Sequence, residues 1–221
     1  MARTAMGGFQ GELASLSAPQ LGARAIRAAL ERSKLDAGKV GEVYMGNVLP
    51  AGLGQAPARQ ASIHGGIPNS VPCTTVSKVC GSGMKAVMLA TEQLRQGDVG
   101  ALVAGGMESM TNSPYLLPKA RGGLRLGHGE VKDHMFLDGL EDAYEGRLMG
   151  TYAEEAARHY QFTRDEQDAY AIESTKRAQR AQADGSFDAE ICAVEVQGRG
   201  GKASVSSDEQ PRKADISKVP T

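Results

Sequence analysis

The chain has 221 residues, of which 41% are hydrophobic and 23% charged, the balance of an ordinary folded protein with ample material for a core. A formal net charge of -1 gives no electrostatic reason to expect nucleic acid or a membrane surface as partner. No apolar run approaches a membrane span, and "MARTAMGGFQGEL" lacks the apolar stretch of a signal peptide. Three cysteines, Cys73, Cys80 and Cys192, form no C-x-x-C pair. The four histidines, at 64, 128, 134 and 159, show no metal-ligand spacing, so no metal site is expected. Free thiols of this kind fit a reducing, cytoplasmic compartment.

In chain order, "SAPQLGARAIRAALERSKL" predicts a first helix capped by Ser17, with Pro19 in its first turn and Leu21, Ala25, Ala29 and Leu30 as its stripe. "EVYMGNVLP" reads as a strand ending at Pro50, followed by the loop "AGLGQAP" and a short helix near Ala58–His64. A β-branched run, Val71–Val79, predicts a buried strand, and apolar spacing from Met84 to Leu94 predicts a helix over 83–96. "GALVAGGMES" is a further strand. This alternation argues for a layered α/β domain with a mainly parallel sheet.

After Met110 the chain changes character, and a boundary is placed at 111/112. "TNSPYLLPKARGGLRLGHGEVKD" is rich in Gly, Pro and charge and reads as loop. Two helices should follow, each opened by a capping box, Thr151 with Glu154 and Thr163 with Glu166. Gly185 is placed to end the second. The stretch "ICAVEVQ" alternates, and the remainder is polar.

Cys80 falls at the turn between the 71–79 strand and the 83–96 helix. Free N–H groups and the helix dipole there favour a thiolate, and Gly81 and Gly83 allow close approach. On pattern alone, a packing cysteine and a nucleophile both stand; Cys73 and Cys192 lack this context and read as structural. "AGGMES" places backbone at a strand's C-terminal end, where α/β proteins build sites, although a tight turn has the same signature. Lys119, Arg121 and Arg125 could meet a phosphate but read more readily as a solvated loop face, and His128 and His134 could serve as bases but read more readily as exposed loop histidines.

Taken together, "PCTTVSKVCGSGMKAVM", "YMGNVLPAGLGQAPARQA" and "VAGGMESMTNSPY" resemble the thiolases, enzymes that join or cleave acyl-CoA units. The closest likeness is to the acetoacetyl-CoA-forming branch. It continues through "DGLEDAYEGRLMGTYAEEAA", "RDEQDAYAIESTKRAQ" and "ISKVP", covering essentially the whole chain.

The resemblance implies the first half of a five-layered αβαβα fold. On this view, residues 1–111 form the α/β domain without its first strand, and residues 112–221 form an inserted loop and helical subdomain that holds CoA. Cys80 corresponds to the cysteine that becomes an acyl-thioester. Leu140, Leu148 and Met149 match positions along the pantetheine route, with Leu148 standing where many relatives carry histidine. Lys213 and Lys218 align with basic positions near the nucleotide end, Arg212 being the alternative to Lys213. Thr175 replaces a tyrosine that serves a potassium site in some relatives, so no ion is expected.

Acyl-CoA is thus implied as substrate, with no resident cofactor, and a dimer or tetramer as the parent's state. The second-half N-E-A-F, G-H-P and C-x-G-G segments do not occur, which points to a chain incomplete for full catalysis. Two alternatives stand beside acetyl-CoA condensation: a degradative 3-ketoacyl-CoA thiolase fragment, and a non-catalytic CoA-binding or assembly fragment. A related ketosynthase is disfavoured by the wording of "KVCGSGMKA" and "GGMESM".

Overall fold

The computed structural model describes residues 1–198 and 201–220. It begins with a two-residue strand β1 (Arg3–Thr4), followed by helix α1 (Ala18–Ser33). Ser17 opens α1, its N–H donating to Gln20 Oε1 at 2.9 Å. The fully buried face of α1 is Ala18, Pro19, Gly22, Ala23 and Ile26 rather than the expected Leu21–Leu30 stripe. The reason is that α1 lies between two cores: Ile26 joins the main one, while Leu21 leans on the other.

The main core is built around a parallel sheet in the order β3–β2–β4, with β2 (Glu42–Gly46) in the middle. β3 (Cys73–Val76) pairs along one edge of β2, and β4 (Leu102–Gly106) along the other, bringing Gly46 opposite both Val76 and Gly106. Helices α2 (Pro57–His64) and α3 (Ser82–Gln96) connect the strands. Val43, Met45, Ala58, Ala61, Ile67 and Met107 close this core with Ile26. The β-branched run expected as one strand over 71–79 pairs only as far as Val76. The last three residues leave the sheet to make the turn before α3.

Beyond Met107 the chain carries a small antiparallel pair, β5 (Tyr115–Leu116) with β6 (Lys132–Asp133), then helices α4 (Met149–His159) and α5 (Arg164–Ala183). Neither helix buries a residue. The capping box at Thr163 forms, with Thr163 N–H donating to Glu166 Oε2 at 2.8 Å and Glu166 N–H to Thr163 Oγ1 at 3.2 Å. The one expected at Thr151 does not. α4 starts two residues earlier, so Thr151 lies inside the first turn and its hydroxyl donates to Leu148 O at 2.8 Å. Gly185, at φ +77°, follows the end of α5.

The remainder returns to the start of the chain. β7 (Ile191–Cys192) pairs parallel with β1, and a hairpin of β8 (Val194–Gly198) and β9 (Gly201–Val205) packs Val194, Val196 and Val205 against Ala5 and Leu13. The short helix α6 (Glu209–Lys213) completes an ionic clasp. Arg3 Nη1 and Nη2 reach Asp208 Oδ1 and Oδ2 at 2.7 and 3.0 Å, and its Nε reaches Glu190 at 2.6 Å. Glu209, 3% exposed, accepts from the N–H groups of Gly8 and Glu12 at 2.8 and 2.9 Å and pairs with Lys213.

Among the described residues the main sheet holds only β3, β2 and β4, in keeping with the expectation that the family's first strand is absent from it. Arg3 and Thr4 form a separate two-residue strand, for which β7 supplies the backbone partner. Among the described residues β4 pairs with β2 alone, and a cleft of about 300 Å³ separates Val103–Glu108 from Met1–Thr4. No helix of the described residues is long and apolar enough to cross a membrane.

Candidate active site

The site is a corner where backbone meets backbone. β2 and β4 both end in glycine, and the first turn of α3 rests on those ends. A Cβ built on Gly46 would stand 2.8 Å from Gly83 N and from the Ser82 carbonyl carbon, closer than real atoms approach. A Cβ on Gly106 would meet Gly83 Cα at 3.4 Å. Only bare backbone lets the helix start sit this low, and that position brings Cys80 to the strand ends.

The turn itself is tied by Ser82. Its hydroxyl donates to Val79 O at 2.6 Å and accepts from Lys78 N–H at 2.8 Å, while Gly81 N–H and Ser82 N–H donate to Lys78 O and Val79 O at 3.0 and 3.1 Å. Val79, immediately before the cysteine, has φ +46°, a left-handed conformation that a β-branched residue adopts only under constraint. Backbone strain of this kind recurs at functional turns. Cys80 is exposed and unbridged.

Cys80 opens into a cleft of about 460 Å³. One wall is the loop after β2, through Val48 and Leu49; another is Val79 and the start of α3. The end of β4 through Met107, Glu108 and Met110 forms the floor, and Gly139 and Leu140 lie opposite. Glu108 is embedded there: its Oε1 accepts from Asn47 Nδ2 at 2.7 Å and its Oε2 from Val48 N–H at 2.7 Å. Burial pushes its carboxyl above the usual range, against the lowering effect of those N–H groups and of nearby His134.

Of the positions expected to meet CoA, Leu140 lines the cleft, and a backbone bridge from Glu141 to Leu148 brings Leu148 alongside that segment. Met149 follows as the first residue of α4. Lys213 is drawn into the clasp with Glu209, and Arg212 reaches Glu12 at 2.6 Å. Lys218 lies 3.8 Å from Asp215. The structure thus groups Cys80 with Leu140 and, through the bridge, Leu148, and it holds Lys213 elsewhere.

His134 is the other departure. It is 4% exposed rather than a solvated loop histidine, with Nδ1 2.6 Å from Asp138 Oδ2 and Nε2 accepting from Ala51 N–H at 3.4 Å. His128 and the Lys119–Arg125 stretch are exposed as expected. Ser82, Asn47 and Glu108 were not singled out as individual residues. The one available signal was the position of Glu108 just beyond a glycine-ended strand.

An exposed cysteine at a strained strand–turn–helix corner, opening into a cleft at the ends of parallel strands, defines an α/β protein with a candidate site at its strand ends. Comparison with known families narrows the class: residues 1–219 match the thiolase N-terminal domain, and the chain belongs to the thiolase family. It is 52% identical over 221 residues to acetyl-CoA acetyltransferase 2 of Arabidopsis thaliana, covering 99% of this chain and 55% of the relative. It is 50% identical to the acetyl-CoA acetyltransferase of Pseudomonas aeruginosa, covering 95% of this chain and 54% of that protein. The chain thus spans about half the length of the curated relatives it matches.

Proposed function

We propose that Cys80 accepts an acetyl group from acetyl-CoA, the first stage of an acetyl-CoA C-acetyltransferase reaction. The sulfur adds to the thioester carbonyl carbon, the tetrahedral oxyanion collapses, and CoA leaves as its thiolate with the acetyl group now on Cys80. In the second stage another acetyl-CoA, having lost a methyl proton, attacks the acetyl carbonyl. Acetoacetyl-CoA forms and Cys80 is released. Thiolysis of acetoacetyl-CoA is the reverse. The observation that carries this reading is the placement of exposed Cys80 at the head of α3 over an open cleft. The names of the relatives support it.

In this reading, the Cys80 N–H at the start of α3 contributes to the oxyanion site. Gly81 and Gly83 give the thioester room to approach. Residues 1–111 carry the nucleophile and 112–221 hold CoA, with Leu140, Leu148 and Met149 beside the pantetheine arm and Lys213 and Lys218 toward the nucleotide. The acid–base groups of the second stage lie in the rest of a longer parent, which works as a dimer or tetramer in a reducing, cytoplasmic compartment. The free Cys73, Cys80 and Cys192 support that compartment.

The test is incubation of the purified chain with acetyl-CoA and mapping of acetylation by mass spectrometry, with Cys80→Ala as control. Acetyl on Cys80 is the expected result. An unlabelled Cys80 in a sample shown to be folded would overturn autonomous first-stage chemistry.

A further inference from the structure

We infer that Glu108 is a positioning residue for the cleft: it fixes the Val48–Leu49 wall and thereby sets the width available to the group that Cys80 takes up. This rests on the reading of Cys80 as the acyl acceptor. The carboxylate stands two residues beyond β4, and all of its donors come from the loop leaving β2. They are Asn47 Nδ2 at 2.7 Å and Leu49 N–H at 3.3 Å on Oε1, and Val48 N–H at 2.7 Å on Oε2. The two strand ends are already adjacent, with Met107 N–H donating to Gly46 O at 2.9 Å. Glu108 extends that adjacency into the loop, where no sheet pairing would hold it.

The residue type follows from the donors. Three N–H groups on two oxygens require an acceptor at both positions, which a carboxylate supplies and an amide does not. Glutamine would turn an NH2 toward at least one of these donors. The same constraint orients Asn47. Its Nδ2 serves both Glu108 and Met107 O, at 3.3 Å, and its Oδ1 is left without a partner although the residue is only 2% exposed. That orientation is the one a neighbouring carboxylate dictates.

The consequence reaches the opposite wall. A Cβ on Gly139 would lie 3.4 Å from Leu49 Cδ2, so the Leu49 side chain already abuts the Gly139–Leu140 segment across the cleft. A loop released from Glu108 frees Leu49 and widens the space between the two walls. Stabilising the sheet alone would not have this effect.

The test compares alkylation of Cys80 by iodoacetamide and by the bulkier N-benzyl iodoacetamide, read on the Cys80 peptide by mass spectrometry. In Glu108→Gln the preference for the smaller reagent should fall at least fivefold, and Leu49→Ala should move it the same way. Val196→Ala, which loosens the second core around Ala5 and Leu13 and lines no part of the cleft, should leave it within twofold. A folded Glu108→Gln with an unchanged ratio would overturn the proposal, as would an equal shift in Val196→Ala. Should Glu108→Gln not fold, Glu108→Asp takes its place, since its shorter arm cannot meet both ends of the donor set. A ratio moved by Leu49→Ala but not by Glu108→Asp counts against Glu108. Wild-type chain that resists acetyl-CoA while showing the expected alkylation ratios would sink the acetyl-transfer reading and leave the role of Glu108 standing.

Discussion

The corner that carries Cys80 and the clasp that joins the two ends of the chain both hold distant segments together, by opposite means. At the corner, Gly46, Gly83 and Gly106 let backbone rest on backbone, and the tolerance is a fraction of an ångström. At the clasp, Arg3 meets Asp208 and Glu209 takes the N–H groups of Gly8 and Glu12, so charged side chains secure the attachment beside the apolar packing on Ala5 and Leu13. Steric contact is indifferent to pH and salt but intolerant of a single methyl group. Charge pairing accepts changes of shape and fails when a partner is neutralised. Reactivity at the corner and attachment at the clasp should therefore respond to different perturbations.

The largest effect is expected from Gly46→Ala. The added Cβ meets backbone atoms that cannot swing aside, so α3 must lift from the strand ends at a cost of about 3 kcal/mol. Denaturant unfolding should show that loss, and Cys80 alkylation should change with it. Glu209→Gln comes next, at roughly 2–3 kcal/mol, because it removes the partner of Lys213 and weakens acceptance from Gly8 and Glu12. Cys80 alkylation should be unchanged there, and a change would dissolve the contrast between the two regions.

Acid sharpens the same contrast. Lys213, then the N–H groups of Gly8 and Glu12, lower the Glu209 carboxyl from 4.5 to about 2. A carboxyl lowered on folding stabilises above its unfolded value, so this contribution is complete above about pH 4.5 and is lost as pH falls toward 2. Melting temperature should decline through that window, less steeply in Glu209→Gln. The smallest effect is that of Val79→Gly, which relieves the left-handed strain and should stabilise by about 1 kcal/mol, read as a shifted denaturation midpoint.

Local pattern made much of this legible. The apolar spacing from Met84 to Leu94 marks a helix that runs from Ser82 to Gln96, and the flanking glycines mark the turn at Cys80. What the sequence could not show depends on partners far along the chain. Glu108 sits in a stretch noticed for its glycines, but its work is defined by donors about sixty residues earlier. Lys213 matches a nucleotide-side position by alignment, and its pairing with Glu209, which helical spacing permits, was not read from the sequence. Thr151 shows the converse error: T-x-x-E fits a cap, but Met149 and Gly150 already belong to the helix. The strand Val194–Gly198 was visible as alternation, while its partner Gly201–Val205 and the seat of both against Ala5 and Leu13 were not.

The clasp also orders events in time. The three strands β2, β3 and β4 and the helices between them all lie within residues 42–106, so each can find its neighbours while the chain is still being made. Arg3 cannot meet Asp208 until 205 more residues have left the ribosome. The sheet and the Cys80 corner can therefore assemble on a nascent chain before Arg3 has met its partners in the clasp.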